Sequence, residues 1–247
     1  IPTFNEKLNI THIYDATSDV LNDLKLDWSI LFIDNGSSDG TQNLIESLAT
    51  KDKNVSAIFN RRNFGTVRSP LHGFLEAKGD AVIIMSADFQ DPPNLIKNFV
   101  EHWEKGEKIV FAVKKRNSDG FLMSAVRSLF YYLLEKTAEH RVVRGFYGYG
   151  LYDREVVELV RQIPPMSIFI RALPLEFGFM PKIIHFEQPK RAAGESKNSF
   201  LALVHVALFG LIKHSHGLDK FLALFGVLLC MISLVSAVVY LILKILF

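Results

Sequence analysis

The sequence predicts an α/β fold with a mostly parallel sheet, and three observations support this prediction. Short apolar runs rich in strand-forming residues alternate with amphipathic helical patterns over residues 1–116. Strands that alternate with helices are typical of a parallel sheet covered by helices on both faces. Polar clusters follow the apolar runs, at the carboxyl ends of strands where ligands bind in such sheets.

Four apolar runs are predicted strands, and helical spacing of apolar residues separates them. The strands are WSILFI (28–33), VSAIF (55–59), AVIIM (81–85) and KIVFAV (108–113). Apolar residues recur at intervals of three and four within 10–24, 44–48 and 95–103, which predicts helices there. Further along the chain, helices are predicted at 120–138 and 153–162, and a strand within 181–197.

Composition excludes several classes of function. The 247 residues carry a net charge of +2, so no basic field indicates a nucleic-acid partner. Cys230 is the single cysteine, which excludes a disulfide framework and fits a reducing compartment. The sequence has no phosphate-loop lysine motif and no paired-histidine zinc signature, and we expect His214 and His216 to pack rather than to bind a metal.

The C-terminal part of the chain predicts a membrane anchor. Residues 221–243 contain no charge, and at about 1.5 Å per residue they are long enough to cross the roughly 30 Å hydrocarbon layer. A buried core helix is the alternative, but the segment has no polar face. Residues 199–213 predict a helix lying in the membrane interface. Because the chain starts at Ile1 and stops just past the apolar run, we expect residues to be missing from both ends.

Four polar clusters follow the predicted strands. They are IPTFNE (1–6), IDNGSSDGT (33–41), NRRNFGTVR (60–68) and MSADFQDPP (85–93). One such cluster could be turn chemistry, since Asp, Asn, Gly and Ser are good turn residues. Four clusters at one edge of a sheet predict a shared binding cleft.

The motifs PTFNE, DNGSSDGT, RRNFG, SADFQDPP and KRAAGESK together resemble the inverting family 2 glycosyltransferases with the GT-A fold. The resemblance is greatest to the membrane-anchored branch that moves sugars onto polyprenyl phosphate, such as dolichyl-phosphate mannose synthase-like and bactoprenol glucosyltransferase-like enzymes. It covers about residues 1–200. It implies a GT-A catalytic domain at 1–197 on the cytoplasmic side, an interfacial helix at 198–216 and a transmembrane segment at 217–247.

The same resemblance implies the substrates and the nucleotide-binding residues. The donor would be a nucleotide-diphosphate sugar, and the acceptor a polyprenyl phosphate in the lipid bilayer. The implied nucleotide-binding residues are Pro2, Thr3, Glu6, Asp34, Asn35, Asp39 and Arg62. Relatives usually have a second Asp where this chain has Asn35; an amide both donates and accepts, so we expect the base contact to survive with a different base preference. For Asp39, a helix N-cap is the alternative.

The resemblance also implies Mg²⁺ or Mn²⁺ as cofactor. Ser86, Asp88 and Gln90 would share one side of the chain if it stays extended. Mg²⁺ is held by one or two carboxylates together with substrate phosphates and water. We therefore expect Asp88 to be the single essential carboxylate ligand, with Ser86 and Gln90 as neutral oxygen donors or water holders. We expect Asp91 to cap the next helix, with Pro92 at its first position.

Cationic side chains are expected to stabilise the departing diphosphate and the lipid phosphate. Arg191 and Lys197 flank the small-residue loop AAGES and are the candidates; solvated surface charge is the alternative. Arg127 is a weaker candidate, and the basic run 114–116 is expected to face anionic lipid head groups.

The acceptor side departs from the family pattern at Gly148, where many relatives carry an Asp. An acceptor hydroxyl would need a general base there, whereas a phosphate monoester is already anionic at neutral pH. The departure therefore favours a phosphate acceptor. Two alternatives stay open: transfer to a glycan or lipid hydroxyl, and a catalytically silent nucleotide-binding membrane protein, which the departures at Ser86, Asn35 and Gly148 would fit.

Overall fold

Seven strands and six helices lie in the residues that the computed structural model describes, which are 1–115, 128, 132, 143–163, 177–189, 191–192 and 216–246. The chain divides into two compact units, one comprising Ile1–Asp119 and Val143–Lys197, the other Gly120–Val142 and Asn198–Phe247. The first unit contains β1 (Pro2–Thr3), α1 (Ile10–Asp23), β2 (Ile30–Asp34), α2 (Thr41–Lys51), β3 (Val55–Phe59), α3 (Gly65–Glu76), β4 (Ala81–Ile84), α4 (Leu95–Glu104), β5 (Ile109–Lys114), β6 (Phe146–Asp153), α5 (Arg154–Arg161) and β7 (Lys182–Phe186). The second contains α6 (His216–Leu246).

The strands of the first unit pair into two ladders. Strands β1, β2 and β3 are parallel neighbours in that order. The other ladder has the order β4-β6-β5-β7, in which β7 runs parallel to β5 and β6 runs antiparallel to both of its neighbours. The predicted α/β class with a mostly parallel sheet is confirmed, and β6 is the antiparallel exception.

The apolar runs form strands because helices bury them. In β5, the residues from Ile109 to Val113 are all buried, as expected for a strand covered on both faces. On one face of β5, Val110 and Ala112 belong to the same apolar cluster as the buried α1 residues Ile10, Ile13 and Val20. Asp153 ends β6 and accepts a hydrogen bond from the Glu155 N–H at 3.0 Å, which fixes the start of α5.

Helix α3 and strand β6 are not predicted by the spacing of apolar residues, because each contains a glycine at a point of close packing. In α3, a Cβ added to Gly73 would lie 2.8 Å from Ile33 Cγ2, so the missing side chain allows the helix to pack on β2. In β6, a Cβ added to Gly150 would lie 2.6 Å from the Val110 carbonyl oxygen of β5. Pro70 lies inside α3 and further obscures the helical pattern. The sequence shows these glycines as loop signals, whereas the fold uses them as contact points.

Helix α6 contains the predicted apolar segment. By length and composition, Leu222–Ile245 could cross a membrane, and its side chains are exposed rather than packed in a core. The apolar C-terminal helix is therefore confirmed as a candidate span, and the core-helix alternative is not supported. The predicted interfacial helix at 199–213 lies outside the described residues, as does 120–138 apart from 128 and 132.

Candidate functional site

The loops that follow β1 and β2 are joined by hydrogen bonds. The Asn5 N–H donates to Ser37 Oγ at 2.7 Å, and the Ser38 N–H donates to Asn5 Oδ1 at 2.8 Å. The Glu6 N–H donates to Thr41 Oγ1 at 2.9 Å. The predicted nucleotide residues Pro2 and Thr3 form β1 and pair with the last residues of β2. Two of the polar clusters therefore form one continuous surface at the strand ends.

Asp34 is fully buried, and its own loop surrounds its carboxylate with donors. Its Oδ2 atom accepts from the Gly36 N–H at 3.1 Å, the Ser37 N–H at 2.9 Å and the Gln42 amide at 2.7 Å. The hydroxyls of Ser37 and Thr3 donate to Oδ1. A carboxylate has about four lone-pair sites. The structure therefore places Asp34 where it shapes the loop after β2.

Asn35 joins that loop to the loop after β3, in what we call the amide network. Its amide nitrogen donates to Asn63 Oδ1 at 2.8 Å and to the Gly65 carbonyl at 3.3 Å. Its carbonyl oxygen accepts from the Phe64 N–H at 2.9 Å and from the Asn60 amide at 3.4 Å. An aspartate at this position could accept but not donate, so the amide is what connects the two loops.

Asp39 lies at the start of α2. Its Oδ1 accepts from the Thr41 N–H at 3.0 Å, and its Oδ2 accepts from the Lys7 N–H at 3.2 Å. Burial raises the pKa of Asp39, but these hydrogen bonds outweigh it and hold the pKa below its ordinary value. The N-cap residue of α2 is Gly40, so Asp39 lies one residue before the position that the N-cap alternative gives it, although its carboxylate accepts from the first N–H of the helix. Arg62 is exposed at the surface, with its guanidinium 4.2 Å from the centroid of the exposed Phe64 ring, and its backbone lies against Gly36 of the loop after β2.

Glu6, Asp88 and Arg191 come together in what we call the charged cluster. Arg191 Nη2 lies 2.8 Å from Asp88 Oδ2, and Arg191 Nη1 lies 3.4 Å from Glu6 Oε1. The Ala192 N–H donates to the Asp88 carbonyl at 3.2 Å, so the backbone holds the arginine beside the turn. The side chains of Asp88 and Arg191 are 8% and 24% exposed, which leaves the guanidinium within reach of solvent.

The chain does not stay extended through the predicted metal motif. Phe89 has φ of +62°, and the Gln90 N–H folds back to donate to Asp88 Oδ1 at 3.1 Å. The expectation that Ser86 and Gln90 share a side with Asp88 by strand alternation is therefore wrong. A turn rather than a strand presents Asp88, and the Ser86 hydroxyl donates to Asp91 instead.

Asp91 does not cap α4, so that prediction is also wrong. Helix α4 starts at Leu95, whose N–H donates to the Pro92 carbonyl. Prolines at 92 and 93 have no N–H to offer a capping carboxylate. Asp91 is buried instead, and it accepts from the Ser86 N–H at 2.7 Å, from the Ser86 hydroxyl and from the Tyr147 hydroxyl. Burial raises the pKa of the Asp91 carboxyl.

The charged cluster fits a cation that is shared with substrate, rather than one enclosed by protein. Among the described residues, no three His, Cys, Asp or Glu side chains lie together as a metal-binding group. Asp88 supplies one buried carboxylate, and the Glu6 carboxylate contacts the same guanidinium. Mg²⁺ typically takes one or two carboxylates and completes its shell with phosphates and water. These donors match that pattern.

Other predicted residues lie elsewhere, and one neighbouring residue was not predicted. Lys197 and Arg127 fall outside the described residues. The Lys114 Nζ lies 4.3 Å from the centroid of the Tyr147 ring.

Tyr147 contacts Asp91 but was not predicted as a site residue, because its Gly/Tyr-rich surroundings look like a loop. Its alternation with Tyr149 was the available signal of a strand.

Comparison with known proteins gives a family match over the first two thirds of the chain. The profile of the family described as "Glycosyl transferase family 2" matches residues 1–160. The protein CsbB of Bacillus subtilis (strain 168) is 31% identical over 235 residues, which cover 95% of this chain and 71% of CsbB. The bactoprenol glucosyl transferase of Shigella phage SfV is 31% identical over 216 residues, covering 87% of this chain and 70% of that protein.

Solved structures match the fold. Mannosyl-3-phosphoglycerate synthase from Rubrobacter xylanophilus superposes with a TM-score of 0.60 at 18% identity, covering 91% of this chain and 73% of its own. A mycobacterial protein superposes with a TM-score of 0.62 at 14% identity, covering 86% of this chain and 72% of its own. The expected GT-A-like α/β fold is confirmed by these matches.

Proposed function

The chain belongs to glycosyl transferase family 2, and from this premise we propose that it transfers a sugar from a nucleoside diphosphate donor to a polyprenyl phosphate, with inversion at the anomeric carbon. The catalytic domain would comprise residues 1–197. The named activity of the bactoprenol glucosyl transferase from phage SfV supports the lipid acceptor. The apolar helix Leu222–Ile245 supports a location at the membrane, and we propose that the catalytic domain lies on the cytoplasmic side.

The charged cluster is the observation that carries the proposal. Arg191 bridges two carboxylates, Asp88 and Glu6, at distances of 2.8 and 3.4 Å. The planar guanidinium binds phosphate oxygens as readily as carboxylate oxygens. A donor diphosphate near Asp88 would therefore meet a cation that is already positioned, and Glu6 would continue to orient that cation.

In the proposed reaction, an oxygen of the lipid phosphate attacks the anomeric carbon from the face opposite the diphosphate. A carbon–oxygen bond forms there as the bond from the anomeric carbon to the diphosphate oxygen breaks. The nucleoside diphosphate leaves with the electron pair, and Arg191 stabilises its growing negative charge. Mg²⁺ or Mn²⁺ bound at Asp88 would supply further charge stabilisation when present. The resemblance to the family implies the same phosphate-binding role for Lys197, which lies outside the described residues.

No general base is needed for this acceptor. A phosphate monoester is ionised at neutral pH and can attack without losing a proton. Gly148 offers no side chain, and a Cβ added there would meet no atom of the described residues within 4 Å. The position where relatives carry an Asp therefore leaves open space, which supports a phosphate over a hydroxyl as nucleophile.

The nucleotide would lie against the loops after β1 and β2. Thr3, Glu6 and Arg62 would border it, while the loop built around Asp34, Asn35 and Asp39 would face its base and ribose. Because Asp34 and Asn35 make their hydrogen bonds within the protein, exposed backbone groups of this loop are the simplest contacts for the base. Nucleoside preference would then depend on loop shape.

The test is a donor screen with the full chain in detergent. Uridine and guanosine diphosphate sugars are supplied with Mg²⁺, and release of nucleoside diphosphate is measured with and without added polyprenyl phosphate. We expect release that depends on the lipid phosphate, together with sugar label in the organic extract. Label that appears only on a water-soluble or hydroxyl acceptor would refute the lipid-phosphate acceptor. Nucleotide binding without turnover of any donor would indicate the catalytically silent alternative.

A further inference from the structure

We propose that Tyr147 is a positioning residue of the transfer site: it holds the turn that presents Asp88, and it does so through Asp91 and Ser86. The inference rests on the proposed function for the role of Asp88. The role of Tyr147 in stabilising the turn is inferred from the geometry of β6 and of the turn at 86–91. Tyr147 touches none of the reacting groups in this scheme.

An irregularity in β6 aims Tyr147 at the turn. In the pairing with β5, Phe111 faces Gly150 and Val113 faces Phe146. One residue of β5 between these pairs is therefore opposite three residues of β6, 147–149. Gly148 has φ of +126°, a conformation that glycine adopts without strain. Such bulges redirect side chains and are common beside active sites.

The two tyrosines on either side of Gly148 hold neighbouring points of the chain. The Tyr147 hydroxyl donates to Asp91 Oδ1, and the Tyr149 hydroxyl donates to the Pro92 carbonyl at 2.7 Å. Asp91 in turn accepts hydrogen bonds from the Ser86 N–H at 2.7 Å and from the Ser86 hydroxyl. The turn is thus closed at its base by Asp91, while Asp88 lies near its tip.

The electrostatics make the contact with Tyr147 necessary. Asp91 is 1% exposed, and a buried carboxylate is expensive unless donors surround it. Burial, with the nearby Asp91 carboxylate as the next cause, raises the pKa of Tyr147, so the phenol keeps its proton and acts as donor. Without that donor, Ser86 would be the only residue in the described part of the chain that donates to the carboxylate. The turn would then rearrange to hydrate Asp91, and Asp88 would move with it.

Tyr14 provides a matched control. Its hydroxyl donates to Asp52 Oδ2 at 2.8 Å, so Tyr14→Phe removes the same kind of hydrogen bond between a tyrosine and an aspartate. That bond connects α1 to the end of α2 and does not involve residues 86–91. If the measured effects came from the loss of any tyrosine–aspartate hydrogen bond, Tyr147→Phe and Tyr14→Phe would change exchange and Mn²⁺ affinity alike.

The first measurement is hydrogen–deuterium exchange of the full chain in detergent, followed on peptides that cover 85–93. We expect Tyr147→Phe to speed exchange there by about fivefold and Tyr14→Phe to leave these peptides unchanged. This readout is independent of any assumption about the reaction. Unchanged exchange in Tyr147→Phe would overturn the inference, even if lipid-dependent transfer were confirmed.

The second measurement is Mn²⁺ affinity in the presence of uridine diphosphate or guanosine diphosphate, followed by electron paramagnetic resonance. We expect Tyr147→Phe to weaken Mn²⁺ binding by about tenfold, and Tyr14→Phe by less than about twofold. In the Asp91→Asn background, Tyr147→Phe should lose most of this effect, because Tyr147 acts through Asp91. Fully additive effects of Tyr147→Phe and Asp91→Asn on Mn²⁺ affinity would overturn the inference, as would a parent protein that binds no Mn²⁺. If only the proposed lipid-phosphate acceptor were wrong, both the exchange and the Mn²⁺ measurements would still give the expected results.

Discussion

Asp34 and Asp88 look alike in the sequence but have different surroundings in the structure. Each comes directly after or close to the end of an apolar run, Asp34 as the last residue of β2 and Asp88 in the turn after β4, and each is buried. Asp34 is surrounded by neutral donors, which come from Gly36 and Ser37 of the following loop, from Gln42 of α2 and from Thr3 of β1. Asp88 has one backbone donor from its own turn, and its other partner is the guanidinium of Arg191, which comes from a distant part of the chain.

The difference indicates that Asp34 has a structural role and that Asp88 belongs to a binding site. The neutral hydrogen bonds to Asp34 stabilise the shape of its loop and leave no partner that a ligand would replace. An ion pair that retains partial contact with solvent can exchange partners when a more highly charged group arrives, since the guanidinium binds phosphate as well as carboxylate. We therefore expect Asp34 substitutions to affect folding and Asp88 substitutions to affect transfer.

The largest expected effect is that of Asp88→Asn on transfer. Removing the only carboxylate of the turn that faces Arg191 should lower the transfer rate by about 10³-fold, because cation binding and arginine orientation are both lost. Circular dichroism and the thermal midpoint should stay close to those of the parent. A loss of transfer below about tenfold would contradict the role given to Asp88.

Asp34→Asn should have its main effect on stability. An amide has one acceptor oxygen for the donors that now share two, so about 3 kcal/mol of unfolding free energy should be lost. Thermal or urea unfolding of the protein in detergent measures this. If Asp34→Asn instead kept the parent's stability and lost only transfer, the contrast between the two aspartates would be wrong.

Arg191→Gln should lower transfer by about 10²-fold, since it removes the positioned cation but keeps Asp88. Lys97→Gln is the matched control, because Lys97 also pairs with a carboxylate, Asp23, at 2.9 Å but lies at the surface. Loss of that pair should change stability by less than about 0.5 kcal/mol and leave transfer unaltered. Equal effects of the two substitutions on transfer kinetics would remove Arg191 from the site.

The smallest effect is expected from Asn35→Asp. The carboxylate can still accept from the Phe64 N–H, but it cannot donate to Asn63 or to the Gly65 carbonyl. Stability should fall by about 1–2 kcal/mol, and transfer should fall by less than about tenfold. Comparison of uridine and guanosine donors with this variant shows whether the amide network tunes nucleoside preference. An unchanged stability would show that the network contributes nothing to the loop.

Local patterns were sufficient to predict most of the fold. The strands near 30, 55, 81 and 109 and the helices α1, α2, α4 and α5 were predicted because their apolar residues repeat with the period of the element. Helix α3 and strand β6 were missed because Gly73 and Gly150 are close-packing glycines, which the sequence does not distinguish from turn glycines.

The site was predictable only in part, for reasons of distance along the chain. The convergence of polar clusters at the strand ends follows from strand order, and so does the proximity of Thr3 to Asp34. The partners of Asp88 and Asp91 depend on a turn with a left-handed residue, Phe89, and on a bulge in β6. Neither has a periodic signature, so Asp91 was predicted to be a helix cap and no role was predicted for Tyr147.

The most direct test of the proposed reaction is the chemical structure of its product. The full chain is incubated with a donor sugar carrying ¹³C at the anomeric carbon and with polyprenyl phosphate, and the lipid extract is examined by ¹³C and ³¹P nuclear magnetic resonance. The account predicts an anomeric carbon coupled to the single lipid phosphorus, with configuration inverted relative to the donor. Retained configuration, or an anomeric carbon without phosphorus coupling, would contradict it.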